Sequence, residues 1–84
     1  MKVQLDGTRM TTPLEAHQYL QEALSLPAYY GKNLDALYDC LTEIGEIEIT
    51  LVHTVEMRAA LGRYAERMLQ VFLDAENVRL EMEE

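Results

Sequence analysis

Apolar residues alternate with polar ones in three short segments of the chain, a pattern typical of β-strands with one buried face. The segments cover residues 1–7, 46–53 and 78–83. Their alternating apolar residues are Met1, Val3 and Leu5; Ile47, Ile49 and Leu51; and Val78, Leu80 and Met82. The pattern therefore predicts a strand at the start, in the middle and near the end of the sequence.

Apolar residues recur at helical spacing between these strands. The first helix is predicted from Thr12-Pro13-Leu14-Glu15, where a capping threonine precedes proline and glutamate. Its apolar side would hold Leu14, His17, Leu20 and Leu24, and Pro27 would end the helix. Asn33 is a suitable N-cap for a second helix, because asparagine side chains accept hydrogen bonds from the first turn.

Two further helices are predicted between the second and third strands. Thr54 would cap a brief helix that runs to Leu61 and ends at Gly62, and residues 64–76 would form a longer one. Long helical connections between consecutive strands imply parallel pairing. The sequence thus predicts an α/β fold, a small three-stranded parallel sheet with four helices mainly on one face. At 84 residues, we expect one domain over residues 1–84.

The charge balance narrows the classes of partner. Fifteen acidic residues against seven basic ones give a formal net charge of −8. Nucleic acids and anionic membranes require a basic surface, so we expect neither as a partner. The single cysteine, Cys40, excludes an intramolecular disulfide and a cysteine-built zinc site. No apolar stretch is long enough for a signal peptide or a membrane span, which predicts a cytoplasmic protein.

The second helix combines an apolar side with an acidic one. Its apolar side would hold Leu34, Leu37, Leu41 and Ile44, with Cys40 at the margin. The opposite side would hold Asp35, Tyr38, Asp39 and Thr42. Asp35 and Asp39 stand one turn apart, where like charges destabilise a helix by about 0.2–0.5 kcal/mol. Residues 33–57 include six acids and no lysine or arginine, a pattern that suits a surface awaiting a cationic partner.

A solvated acidic surface would explain this helix equally well. The preceding loop favours an interface, because Tyr29 and Tyr30 are adjacent and one ring is expected near the surface. The other ring is expected to cover the small core.

Catalysis is not indicated: Cys40 is predicted to be an inert, partly buried thiol and His17 a hydrogen-bonded core histidine. Nothing in the sequence calls for a cofactor, and two carboxylates one turn apart are a weak metal signal.

The segment LPAYYGKNLDALYDCLT, residues 26–42, closely resembles the central segment of the barstar family, intracellular inhibitors of barnase-type ribonucleases. The opening strand, LEAHQYL and LQVFLDAE are similar to that family's first strand, first helix and last helix. The resemblance covers essentially the whole chain and implies a barstar-like fold.

The resemblance also implies a binding site: the second helix and its loop would plug a ribonuclease active site in a 1:1 complex. Asp39 would replace an RNA phosphate, and Asp35 would reach the same basic cleft. Tyr29 would pack near the enzyme's catalytic histidine, and Asp74 would form a peripheral ion pair. The partner-binding residues implied in this way are Tyr29, Gly31, Asn33, Leu34, Asp35, Tyr38, Asp39, Thr42 and Asp74.

The sequence departs from the family pattern at four places. Tyr38 stands where the best-known member has tryptophan, and Ile44 replaces another aromatic residue. Asp74 is one methylene shorter than the usual glutamate, and Lys32 places a positive charge beside the acids. A second hypothesis is therefore an immunity module that binds a different basic protein or toxin. A third, of another class, is an acid-rich metal-dependent enzyme.

Overall fold

The computed structural model describes residues 1–84. Its strands are β1 (Lys2–Asp6), β2 (Ile47–Val52) and β3 (Val78–Met82), and its helices are α1 (Pro13–Ala23), α2 (Leu34–Glu43), α3 (Thr54–Leu61) and α4 (Arg63–Asp74). The strands pair in the order β1-β2-β3, and both pairings are parallel. The predicted α/β fold, with three parallel strands and four helices, is confirmed.

Burial alternates along the strands, and this shows that the helices cover one face of the sheet. Leu5 of β1 pairs in register with Leu51 of β2, and both are buried. The neighbouring Gln4 and Glu81 point to the other face and are exposed. A core of 19 buried residues lies between the covered face and the helices. No helix in the structure combines the length and the apolar character needed to cross a membrane.

A short 3-10 helix, Gly7–Arg9, follows β1 and was not predicted. Its N-cap is Asp6, whose carboxylate accepts hydrogen bonds from the Thr8 backbone N–H at 2.9 Å and the Thr8 hydroxyl at 2.7 Å. These bonds lower the pKa of Asp6. Gly7 lies against the end of β2: a Cβ at this position would meet the His53 carbonyl oxygen at 2.3 Å. Only glycine allows the chain to turn this close to the neighbouring strand.

Two details of the predicted helices are wrong. Thr54 is the first residue of α3 and not its cap; His53 occupies the cap position in a left-handed conformation (φ 57°) without a side-chain cap bond. Thr54 is buried, and its backbone N–H donates a hydrogen bond to the Glu83 carbonyl at 3.2 Å. This contact with the residue that follows β3 decides the position of Thr54. Leu14 is 57% exposed. The buried residues of α1, which include Ala16, are centred about 100° around the helix axis from Leu14.

Helix ends also differ from the predicted ones. α1 ends at Ala23, four residues before Pro27, because Ser25 turns the backbone into a left-handed conformation (φ 53°). α4 covers Arg63–Asp74 where residues 64–76 were predicted. Neither shift moves the residues of the predicted binding site off their elements.

Candidate partner-binding site

Asn33 fixes the beginning of α2, as predicted. Its side-chain oxygen accepts a hydrogen bond from the Ala36 backbone N–H at 2.8 Å, and its side-chain nitrogen donates to the Gly31 carbonyl at 3.3 Å. Lys32, between them, adopts a left-handed conformation (φ 54°). The loop that carries Tyr29 and the first turn of α2 are therefore joined by one side chain.

The inner side of α2 is anchored in the core. Leu37 and Leu41 are fully buried, and Leu34 and Ile44 are half-buried against the core. Cys40 lies at the margin, as predicted, and burial raises the pKa of its thiol, which the nearby acids raise further. A thiol held in its neutral form is a poor nucleophile, which agrees with the predicted inert cysteine.

The outer side of α2 carries carboxylates that no base in the chain neutralises. Asp35 and Asp39 are exposed, and so is Asp74 at the end of α4. No lysine, arginine or histidine nitrogen lies within 4.0 Å of these three carboxylates. The salt bridges of the protein join Lys2 to Glu48, His53 to Glu56, Arg58 to Glu66 and Arg79 to Glu48. We call the surface formed by Asp35, Asp39 and Asp74 the acidic surface.

The three carboxylates share one groove between α2 and α4. This groove has a volume of about 750 Å³ and is lined by Leu34, Asp35, Tyr38, Asp39, Val71 and Asp74. Gln70 donates a hydrogen bond to Asp74 Oδ1 at 2.8 Å, which orients that carboxylate. The structure thus brings Asp74 of the last helix beside Asp35 and Asp39 of the second one.

The other predicted binding residues do not line this groove. Tyr29 is 83% exposed, the highest value among the large hydrophobic side chains. Gly31, Asn33 and Thr42 are also exposed. The Thr42 hydroxyl donates to the Asp39 carbonyl at 2.9 Å, so this hydroxyl is already engaged within the helix. All the predicted residues except half-buried Leu34 are exposed, and they lie on α2, its preceding loop and the end of α4.

A buried histidine holds the loop before α2 to the core. His17 Nδ1 lies 2.5 Å from the Tyr30 hydroxyl, and His17 Nε2 lies 2.6 Å from the Tyr64 hydroxyl. Burial lowers the pKa of His17 and raises that of Tyr30, so both side chains remain neutral. A neutral imidazole has one donor and one acceptor, which two phenols satisfy completely. His17 is the predicted core histidine, and Tyr30, not Tyr29, covers the core.

Asn77 holds the other end of α2. Its side-chain nitrogen lies 2.7 Å from the Leu41 carbonyl and 2.6 Å from the Gly45 carbonyl, and it donates to both. The last carbonyls of a helix have no partner within the helix, and Asn77 supplies one from the turn before β3. The helix that carries Asp35 and Asp39 is therefore fixed at its beginning, along its inner side and at its end.

A comparison with protein families matches residues 1–84 to the family described as Barstar (barnase inhibitor). The chain belongs to the Barstar family. It is also similar to a Bacillus subtilis (strain 168) protein named "Putative ribonuclease inhibitor YrdF". The two are 38% identical over 77 residues, which cover 89% of this chain and 85% of that relative. The resemblance of residues 26–42 to the barstar family is confirmed.

Sequence reasoning missed two residues of this Barstar-family site. Tyr64 completes the hydrogen bonds of His17, and a predicted core histidine was itself a signal that both ring nitrogens needed partners. Asn77 had no such signal, because its role depends on where α2 ends relative to β3. The structure brings no three histidine, cysteine or acidic side chains together in an arrangement that could hold a metal ion.

Proposed function

We propose that this Barstar-family protein is a cytoplasmic inhibitor of a barnase-type ribonuclease and not an enzyme. One domain, residues 1–84, would bind one ribonuclease molecule and occlude its active site with α2 and the loop before it. The observation that supports this most directly is the acidic surface: three carboxylates in one groove without a base of the same chain within 4.0 Å.

The chemistry of a ribonuclease explains why such a surface would fit. Its cleft must hold RNA phosphates, so it is lined with cations. A carboxylate at Asp39 takes the place of a phosphate, but it belongs to a helix backbone that a ribonuclease cannot cleave. Because α2 is fixed by Asn33, Asn77 and its buried leucines, little conformational freedom is lost on binding.

The remaining residues of the region would provide shape and reach. Tyr29, exposed at the end of the loop, packs on the enzyme near its catalytic histidine. Tyr38, which is 40% exposed, contributes an aromatic surface beside Asp35 and Asp39. Gly31, Asn33, Leu34 and Thr42 form the close contacts around them, and Asp74 makes an ion pair at the periphery.

Lys32 supports a second candidate function, in which the partner is a different basic protein or toxin. Its side chain is exposed beside the acidic surface, and no carboxylate of this chain lies within 4.0 Å of it. A uniformly cationic cleft would repel this ammonium group. Affinity purification with the tagged protein from its source cells distinguishes the candidates, because a partner without nuclease activity would favour the second.

A titration of ribonuclease activity tests the proposed inhibition. Barnase-type enzymes cleave a fluorogenic RNA substrate in the presence of the wild type, Asp39→Ala or Glu48→Ala. We expect stoichiometric inhibition by the wild type and by Glu48→Ala, which removes an acid far from the groove. Asp39→Ala should require a much higher concentration. Absence of inhibition by the wild type, or the same titration curve for Asp39→Ala, would contradict the proposal.

A further inference from the structure

One side of α4 forms a second wall along α2. Tyr64, Arg67, Val71 and Asp74 follow each other at helical spacings of three and four residues, so they share a face. Val71 and Asp74 line the groove described above. Tyr64 and Arg67 line a second hollow of about 370 Å³ together with Asn33, Leu34 and Asp35.

The two hollows form a continuous surface, because Leu34 and Asp35 line both. A partner that covers the acidic surface therefore reaches Arg67 without a gap. Asp74 lies at one end of the α4 wall and Arg67 lies near the other. They are seven residues apart, which corresponds to about 10 Å along the helix axis. The surface thus has acids at one end and along α2, and a single arginine at the other.

Arg67 lies beside the Tyr64 ring but has no anionic partner. Its side chain is exposed, and no carboxylate lies within 4.0 Å of it. Its guanidinium carbon lies 5.9 Å from the centre of the Tyr64 ring, within the range of a cation–π contact. The Tyr64 hydroxyl is bonded to buried His17, so the core positions the ring that supports the guanidinium. A pre-positioned side chain loses less entropy on binding.

We propose that Arg67 is a specificity-determining residue that binds a carboxylate of the partner ribonuclease beside its cationic cleft. This inference rests on the proposed function. A guanidinium binds a carboxylate through two parallel hydrogen bonds. Nucleic acid is a poor alternative ligand, because Asp35 lines the same hollow and the net charge is −8.

The proposal specifies the charge pattern of the partner. The enzyme carries a carboxylate displaced along α4 from the cation that meets Asp74, because Arg67 lies about two helical turns before Asp74. An enzyme with a cation at that point would be repelled by Arg67. The arginine therefore selects among ribonucleases whose clefts are otherwise equally basic.

A matched pair of variants tests the role of Arg67. Arg67→Glu and Arg63→Glu change the net charge by the same amount on the same helix, and Arg63 is exposed but lines neither hollow. With the barnase-type enzyme that the wild type inhibits, Arg67→Glu should raise the inhibition constant at least about tenfold more than Arg63→Glu. Thermal unfolding of both variants checks that their folds are intact. Equal inhibition constants, or tighter inhibition by Arg67→Glu, would overturn the proposal.

A charge exchange identifies the partner carboxylate. In a panel of enzyme variants, each aspartate or glutamate beside the cleft is replaced in turn by lysine. One of these enzyme variants should bind the Arg67→Glu inhibitor more tightly than it binds the wild-type inhibitor. If no enzyme variant does so, the proposal is overturned. If the wild type inhibits no ribonuclease, the proposed function is wrong and this inference is wrong with it. If the wild type inhibits a ribonuclease but Arg67→Glu and Arg63→Glu have equal inhibition constants, the inference about Arg67 is wrong and the proposed function stands.

Discussion

Two exposed surfaces of this protein carry acids. On one of them an acid is paired with cations of the same chain, and on the other the acids are unpaired. On the uncovered face of the sheet, Glu48 lies 3.8 Å from Lys2 Nζ and 3.5 Å from Arg79 Nη1. The register places these three residues side by side on neighbouring strands. On the acidic surface, Asp35 and Asp39 stand one turn apart with no cation of the chain within 4.0 Å.

The two surfaces differ in whether their acids are paired with cations of the same chain. Exposed salt bridges stabilise a fold by only about 0–1 kcal/mol, so the pairs on the sheet contribute little to the free energy of unfolding. Their effect is to pair Glu48 with cations on both neighbouring strands, whereas Glu81 on the same face has no cation within 4.0 Å. Groups that are paired within the chain should affect its stability, and unpaired groups should affect its binding.

The largest difference between the two surfaces is expected when two acids on each are neutralised. Asp35→Asn with Asp39→Asn, and Glu48→Gln with Glu81→Gln, change the net charge equally. The first pair should slow association with an inhibited ribonuclease at least about tenfold at low salt, because local charge steers the encounter. The second should slow it far less. Stopped-flow rates at low and high salt measure the effect, and equal slowing would show that net charge alone matters.

The two adjacent tyrosines extend the contrast to uncharged groups. Tyr30→Phe removes a partner of buried His17 and should lower the free energy of unfolding by about 1–3 kcal/mol. Tyr29→Phe alters an exposed ring whose hydroxyl forms no hydrogen bond and should change it by less than about 0.5 kcal/mol. Urea denaturation measures both variants. A similar loss in the two would show that the His17 contact does not hold the loop.

The pH dependence of stability distinguishes the same paired group. The pKa of His17 lies below its ordinary value of 6.5 because the ring is buried between Tyr30 and Tyr64. The unfolded chain therefore binds a proton that the folded chain does not, and stability falls as the pH drops below 6.5. Urea denaturation at about pH 7.5 and about pH 5.5 should show this loss in the wild type. Exposed His53 is the control: His53→Gln should retain the loss, whereas His17→Gln should not.

The smallest expected effect is a change in stability of opposite sign on the two surfaces. Asp39→Asn removes repulsion from Asp35 and Glu43, each one turn away, and should stabilise the free protein by about 0.2–0.5 kcal/mol per pair. Glu48→Gln removes two weak salt bridges and should destabilise it slightly. Chemical denaturation without a partner measures both. Destabilisation by Asp39→Asn would indicate that α2 depends on that charge.

Periodicity predicted the fold well because each element has one clear apolar side. β2 alternates strictly between buried and half-buried residues, and α2 places Leu37 and Leu41 on the side away from Asp35 and Asp39. Such patterns depend only on local geometry, so they are visible in one sequence. The position of Asp35 and Asp39 on one exposed side of α2 followed from the same geometry, whereas Tyr29, in the preceding loop, was grouped with them by the family resemblance.

The features that sequence reasoning missed depend on contacts between distant segments. Thr54 is a good cap by residue type, but contact with Glu83 makes it the first residue of α3. Tyr64 and Asn77 serve side chains and carbonyls from the other half of the chain. Arg67 belongs to the region because α4 packs beside α2, which no local pattern can indicate. The α4 wall was therefore predicted only at Asp74.

The groove between α2 and α4 draws its two walls from different crossovers of the sheet. α2 belongs to the connection between β1 and β2, and α4 to the connection between β2 and β3. A chain divided at Gly45, in the turn before β2, would leave each fragment with one wall. The groove comes into existence only when the central strand has gained both of its neighbours. Two such fragments, fused to separate proteins, would report the meeting of those proteins by restoring the proposed ribonuclease-binding surface, which neither possesses alone.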